Sequence, residues 1–215
     1  MKTKSLLNGQ ICLLIVVCLA LLVSRVVIKQ EIRYLFLAWN LLLAFIPYWL
    51  TVRLQQKERK LIFNLVIIGI WLLFFPNAPY LVTDFIHINK SNSTIIWFDV
   101  VLLFMFSSTG MYMAIKSLDI IHTWIHNNTN RLIGMITISL AIILSGFGIY
   151  LGRIERWNSW DIIHKPVSLF KNIGNLIENP HVWEFTLVYA LLVATLYAIF
   201  RIENQKVNQT KRASI

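Results

Sequence analysis

The feature that most constrains this chain is the gathering of its apolar residues into runs of about twenty, long enough as α-helices to cross a ~30 Å hydrocarbon core. Hydrophobic residues make up 57% and charged residues only 14% of the sequence, where a soluble domain carries ~25% charged residues. With a mean hydropathy of +0.65, a water-soluble globule is excluded. The sequence predicts an all-α polytopic bundle of about six spans, at roughly 6–28, 34–52, 61–76, 97–117, 132–152 and 183–200. They form one expected transmembrane domain, 1–202, followed by a polar and disordered tail, 203–215.

Lys2 and Lys4 precede the first run, as in a signal peptide, but no small-x-small cleavage site closes it, so it reads as a retained span. Cys12 and Cys18 stand too far apart along one helix to bridge and read as small packing residues. The formal net charge is +10, from 20 Lys+Arg against 10 Asp+Glu. These cations fall mostly between the apolar runs, a pattern that orients a membrane protein rather than binding nucleic acid. In the six-span arrangement twelve Lys and Arg lie on the side of the termini and eight on the other, so both termini are expected in the cytoplasm.

Two groups of small residues lie within spans. Ser145, Gly148 and Gly152 share a face of span five, and Ser107, Ser108, Thr109 and Gly110 sit deep in span four; both read chiefly as packing positions. The third span is short. Pro76-Asn77-Ala78-Pro79 interrupts it, and a new short helix is expected to follow, capped by Asn77, with Pro79 in its first turn. That helix, over 80–88 at or just within the outer boundary, sets Asp84 and His87 on one face.

Asp99, in Trp97-Phe98-Asp99, is expected on the same side, as is the segment from Tyr150 to Asp161 with Arg153, Arg156 and Asn158. Asp84, Asp99, Asp161, Arg153 and Arg156 therefore form an expected polar cluster at one end of the bundle. Charged groups at a membrane boundary are costly unless paired, which leaves two readings side by side. Either the pairs lock the helix ends, with Trp97, Trp157 and Trp160 in the aromatic belt, or the cluster is a ligand site.

The blocks Phe75-Pro-Asn-Ala-Pro-Tyr-Leu-Val-Thr-Asp-Phe-Ile-His87, Trp97-Phe-Asp99 and Gly148 to Asp161 resemble the hallmark blocks of an uncharacterised bacterial integral membrane family, domain of unknown function 1361. The resemblance spans about residues 60–166. It implies a multi-span protein of the bacterial plasma membrane and carries no established activity, substrate or cofactor.

Asp119, His122 and His126 align on a helix and could suit a transition metal, although an amphipathic extension of span four explains them as well. Residues 166–178 place Leu169, Phe170, Ile173, Leu176 and Ile177 opposite Lys171, Asn172, Asn175 and Glu178, as in an interfacial helix, either a connector or a lid. No phosphate loop, nucleophile elbow, His-Glu-x-x-His or Cys-x-x-Cys motif is present.

Three functions remain open. In the first, the cluster binds an anionic amphiphile, a lipid phosphate or lipid-linked sugar. Arg153 and Arg156 hold phosphate, Asn158 orients it, and Asn77, Tyr80 and Asp161 complete the site; Asp84, His87 and Asp99 are the candidate catalytic groups. In the second, the protein is a membrane scaffold or accessory subunit that docks another membrane protein. A small transporter is the third, weaker because no span carries a charge near its centre.

Overall fold

The computed structural model describes residues 2–56, 60–90 and 95–213, and among them every regular element is helical. The helices are α1 (Lys2–Lys29), α2 (Phe36–Gln56), α3 (Leu61–Phe74), α4 (Asn77–Tyr80), α5 (Ile96–Asn128), α6 (Arg131–Arg153), α7 (Asp161–His164), α8 (Pro166–Ile177) and α9 (Pro180–Ala213), with a 3-10 helix over Leu81–Lys90 between α4 and α5. Six segments are long and apolar enough to cross a membrane, at Gly9–Lys29, Phe36–Gln55, Leu61–Ile88, Ile96–Asn128, Arg131–Arg153 and Pro180–Val207. The protein is a multi-pass helical membrane protein.

Helix α5 is the axis of the bundle, packed by α1, α2, α4, the 3-10 segment, α6 and α9. Its sequence explains the position. Ser107, Thr109, Gly110, Ala114 and Ser117 are small and buried, so neighbouring backbones can approach closely. The outer helices instead turn Leu, Ile and Val outward, the surface a lipid solvent accepts. The expected amphipathic extension of span four is present, since α5 continues unbroken to Asn128.

The break after span three is real but differs in form from the expected capped helix. Pro76 holds the N-cap position in helical conformation with no side-chain cap bond. Asn77 instead turns its amide back, donating to the Phe74 carbonyl at 2.9 Å and to Ser159 Oγ at 3.1 Å. Beyond one α-turn the chain tightens into the 3-10 helix. The broken segment packs against two helices: Ala78 and Leu81 meet Gly110, fourteen residues and so about 21 Å along α5 from its first residue, and Pro76 meets Gly148, five residues from the last residue of α6.

Irregular backbone packed among membrane-spanning helices must be satisfied by protein. Ser107 Oγ donates to the Leu81 carbonyl at 2.8 Å, and Thr83 Oγ1 to that of Tyr80 at 2.7 Å. Close approach requires two glycines. A β-carbon on Gly110 would stand 2.5 Å from the Ala78 carbonyl oxygen, and one on Gly148 would stand 2.5 Å from Pro76 Cγ. The small residues of spans four and five thus receive the broken segment. Gly110→Ala is expected to lower stability by about 1–3 kcal/mol, because backbone must move to admit the methyl. Thermal unfolding in detergent reads this against Gly174→Ala, where the new carbon meets nothing within 4 Å.

The tail departs from expectation too: α9 continues as helix through Ala213. Glu203, Gln205 and Lys206 are good helix formers added to an existing helix, so they extend it without a new nucleus. The helix expected over 166–178 is α8, anchored by Leu169 and Leu176, while Phe170 and Ile177 face outward. Trp157 Nε1 donates to Asn172 Oδ1 at 3.0 Å and Asn172 Nδ2 to Glu155 at 3.0 Å, fastening α8 to the segment after α6.

Candidate functional site

Arg153, in the last turn of α6, is the centre of the polar arrangement. A 3-10 helix stacks residues three apart almost in register. Asp84 and His87 accordingly make one row, and Thr83 with Tyr80, the last residue of α4, makes a second beside it, both within reach of Arg153. The guanidinium reads both rows. Its Nε donates to Thr83 Oγ1 at 2.6 Å, its Nη2 to Asp84 Oδ1, and its Nη1 lies 3.4 Å from His87 Nε2, while the group stacks over the Tyr80 ring at 4.2 Å. Gly152, one residue earlier, leaves room for the Tyr80 ring.

Asp84 is fully buried, and both its oxygens are engaged, Oδ1 by Arg153 and Oδ2 by Asn40 Nδ2 at 3.1 Å. A carboxylate so held is a buried ion pair with its acceptor sites filled.

Asp99 belongs to a different pair. It is fully buried and accepts from Arg25 Nε at 2.5 Å and Nη2 at 3.4 Å, and from Tyr34 OH at 3.3 Å. Glu31 lies 3.5 Å from the same guanidinium, whose buried Nη1 has no partner among the described residues. Aromatic rings stand between the two pairs: Phe36 lies 4.8 Å from the His87 ring and 6.2 Å from that of Tyr34.

Asp161 closes a local turn instead, accepting from Asn158 N at 2.7 Å and Asn158 Nδ2 at 3.3 Å. Arg156 is exposed, makes no ion pair among the described residues, and takes a positive φ of 61° in the same turn. The single cluster expected from sequence therefore resolves into two buried pairs and one turn. Each carboxylate takes the nearest donor its own helix packing supplies, and α1, counted only as an orienting flank, supplies one of the two arginines. Arg25, Tyr34, Asn40 and Thr83 were not among the candidates. The available signals were an arginine inside an apolar run and a lone amide in span two.

Beside the Arg153 network lies a cavity of about 620 Å³. Leu43, Leu72, Leu144, Phe147 and Leu151 make its apolar walls, and Asn40, Asn77, Tyr80, Asn158 and Ser159 its polar portion. Trp39, Trp157 and Trp160 line it as well, α8 contributes Leu169 and Ile173, and none of the lining residues is charged. Its position follows from the packing. α3 lies on α2, α6 lies on α5 and α9, and α4 bridges the wedge between them.

Among the described residues no set of three His, Cys, Asp or Glu is placed to hold a metal ion. Asp119 pairs with Arg201 at 2.9 Å, and His122 Nδ1 meets Tyr197 OH at 2.7 Å.

No curated protein and no solved structure matches the chain. One family matches residues 39–196, a range that holds the broken segment, Asp84, Asp99, Arg153 and the whole cavity lining. The chain belongs to this family, described as a protein of unknown function, DUF1361.

Proposed function

We propose that this protein of the bacterial plasma membrane binds an amphiphile in the cavity beside Arg153, with a lipid-linked sugar as the class of ligand. The observation that carries the reading is one cavity with alkyl walls and an uncharged polar portion of amides, hydroxyls and indoles. Its volume suits a headgroup with its first methylenes. Indole faces and side-chain amides suit sugar hydroxyls, whereas a phosphate would meet no cation among the lining residues. Arg153 is engaged by Asp84, so it serves as the strut that holds Tyr80 at the cavity edge. With both termini in the cytoplasm, the cavity belongs to the outer leaflet, and α8 acts as its lid.

Gly69 provides the test. It lines the cavity, and a β-carbon there meets nothing within 4 Å, so Gly69→Phe fills the space without touching the ion pairs. Native mass spectrometry from a polyoxyethylene detergent, with dodecyl maltoside and dodecyl phosphate as probes, should show tighter retention of the maltoside. Gly69→Phe should weaken that retention at least tenfold, about 1.4 kcal/mol. Equal retention of both probes, or no effect of the substitution, overturns the reading.

A scaffold role is favoured by a separate observation: both buried carboxylates are consumed in pairs that join one helix to another. On that reading the variant folds, retains neither probe differently, and crosslinks to a stoichiometric membrane partner as the wild type does.

A further inference from the structure

We propose a second ligand site at the opposite end of the bundle, where His122, His126, Arg131 and Arg201 bind the phosphate of an anionic phospholipid. These four side chains line a cavity of about 680 Å³ between α5, α6 and α9, together with Tyr197 and Met135. Arg131 opens α6 and Arg153 closes it, so the two sites are separated by about 33 Å along that helix.

The sequence builds this pocket by register. His122 and His126 are four apart on α5, and Tyr197 and Arg201 four apart on α9, so each helix turns two polar groups to the same side. Gly134 admits the imidazole at the α5–α6 crossing, where a β-carbon would stand 3.3 Å from His122 Cδ2. The hydrogen bond between Tyr197 OH and Nδ1, 2.7 Å, fixes the His122 ring and does not use Nε2.

The charge balance points to an anion. No carboxylate lines the cavity, although the neighbouring Asp119 pairs with Nη1 of Arg201 and offsets part of that charge. Arg131 makes no ion pair among the described residues. Arginines present paired donors that match phosphate oxygens, and the positive end of the α6 dipole adds to the field.

The surroundings select a lipid. Leu132 and Ile136 on α6 and Ile199 and Ile202 on α9 are exposed apolar side chains flanking the pocket, a track for acyl chains beneath a headgroup. Basic pockets between transmembrane helices are suited to anionic headgroups.

The test uses native mass spectrometry of the full chain titrated with phosphatidylglycerol and phosphatidylcholine, with inorganic phosphate as competitor. Phosphatidylglycerol should bind more tightly, and Arg131→Gln should weaken it about fivefold, the worth of one cation near a membrane surface. His126→Gln should act in the same direction. Lys171→Gln, on α8 at the other end, should leave the preference unchanged. Displacement by millimolar inorganic phosphate would identify free phosphate as the source of the ligand, and persistence would identify the lipid; both retain the phosphate site. Phosphatidylglycerol binding within twofold of wild type in both Arg131→Gln and His126→Gln, or an equal loss in Lys171→Gln, overturns it.

Discussion

Arg153→Gln is expected to cost the folded bundle about 3–5 kcal/mol, because it leaves the Asp84 carboxylate buried without its cation. The loss reaches further than one pair. The same guanidinium bonds Thr83, approaches His87 and covers Tyr80, so its removal unfastens three positions of the 3-10 segment, and Tyr80 at the end of α4, from α6. Asp84→Asn in the same chain removes the stranded charge while keeping the shape and the contact to Asn40, and the double variant should recover part of the loss. A double-mutant cycle on thermal unfolding in detergent measures the coupling, expected to exceed about 1 kcal/mol. Strictly additive losses would show that Arg153 and Asp84 do not stabilise one another. A catalytic role for Asp84 makes the opposite forecast, a stable Asp84→Asn protein that has lost only turnover.

The helical bundle was legible because lipid removes most alternatives: a run of about twenty apolar residues leaves the backbone few ways to satisfy itself. The break at Pro76–Pro79 was equally legible, since two prolines and an asparagine cannot continue a helix undisturbed. Its seat in the bundle was not. That seat depends on Gly110 and Ser107, which accept Ala78 and Leu81 from a distant part of the chain, and nothing local to the prolines encodes that meeting. The site shows the same division. Asp84, His87 and Arg153 were identified by their chemistry, and they do converge. Asp99 and Asp161 were grouped with them by shared side alone, yet residues on one face of a bundle need not be neighbours. Arg25 was missed because a charge near the end of an apolar run reads as a flank until helix packing brings it beside Asp99. The cavity, made by a wedge between α3 and α6, has no linear signature at all.

Asp99→Ala should produce the second large effect, about 3–5 kcal/mol, by leaving Arg25 buried beside only the more distant Glu31. The Arg25 guanidinium already holds one nitrogen without a partner among the described residues, so the loss of Asp99 leaves little to offset the desolvated charge. Replacing both members with apolar residues of similar volume, Arg25→Met with Asp99→Leu, should be much milder than either single change. The informative step combines this pair with Asp84→Asn. Each carboxylate has its own arginine, so the two sets of losses should add within about 0.5 kcal/mol. Non-additivity beyond about 1 kcal/mol would mean that Phe36 and Tyr34 couple the pairs, and that the end of the bundle behaves as the single cluster its sequence suggests. Additivity would make Asp99 a clasp between α1 and α5, and would leave the cavity beside Arg153 as the place to look for a ligand.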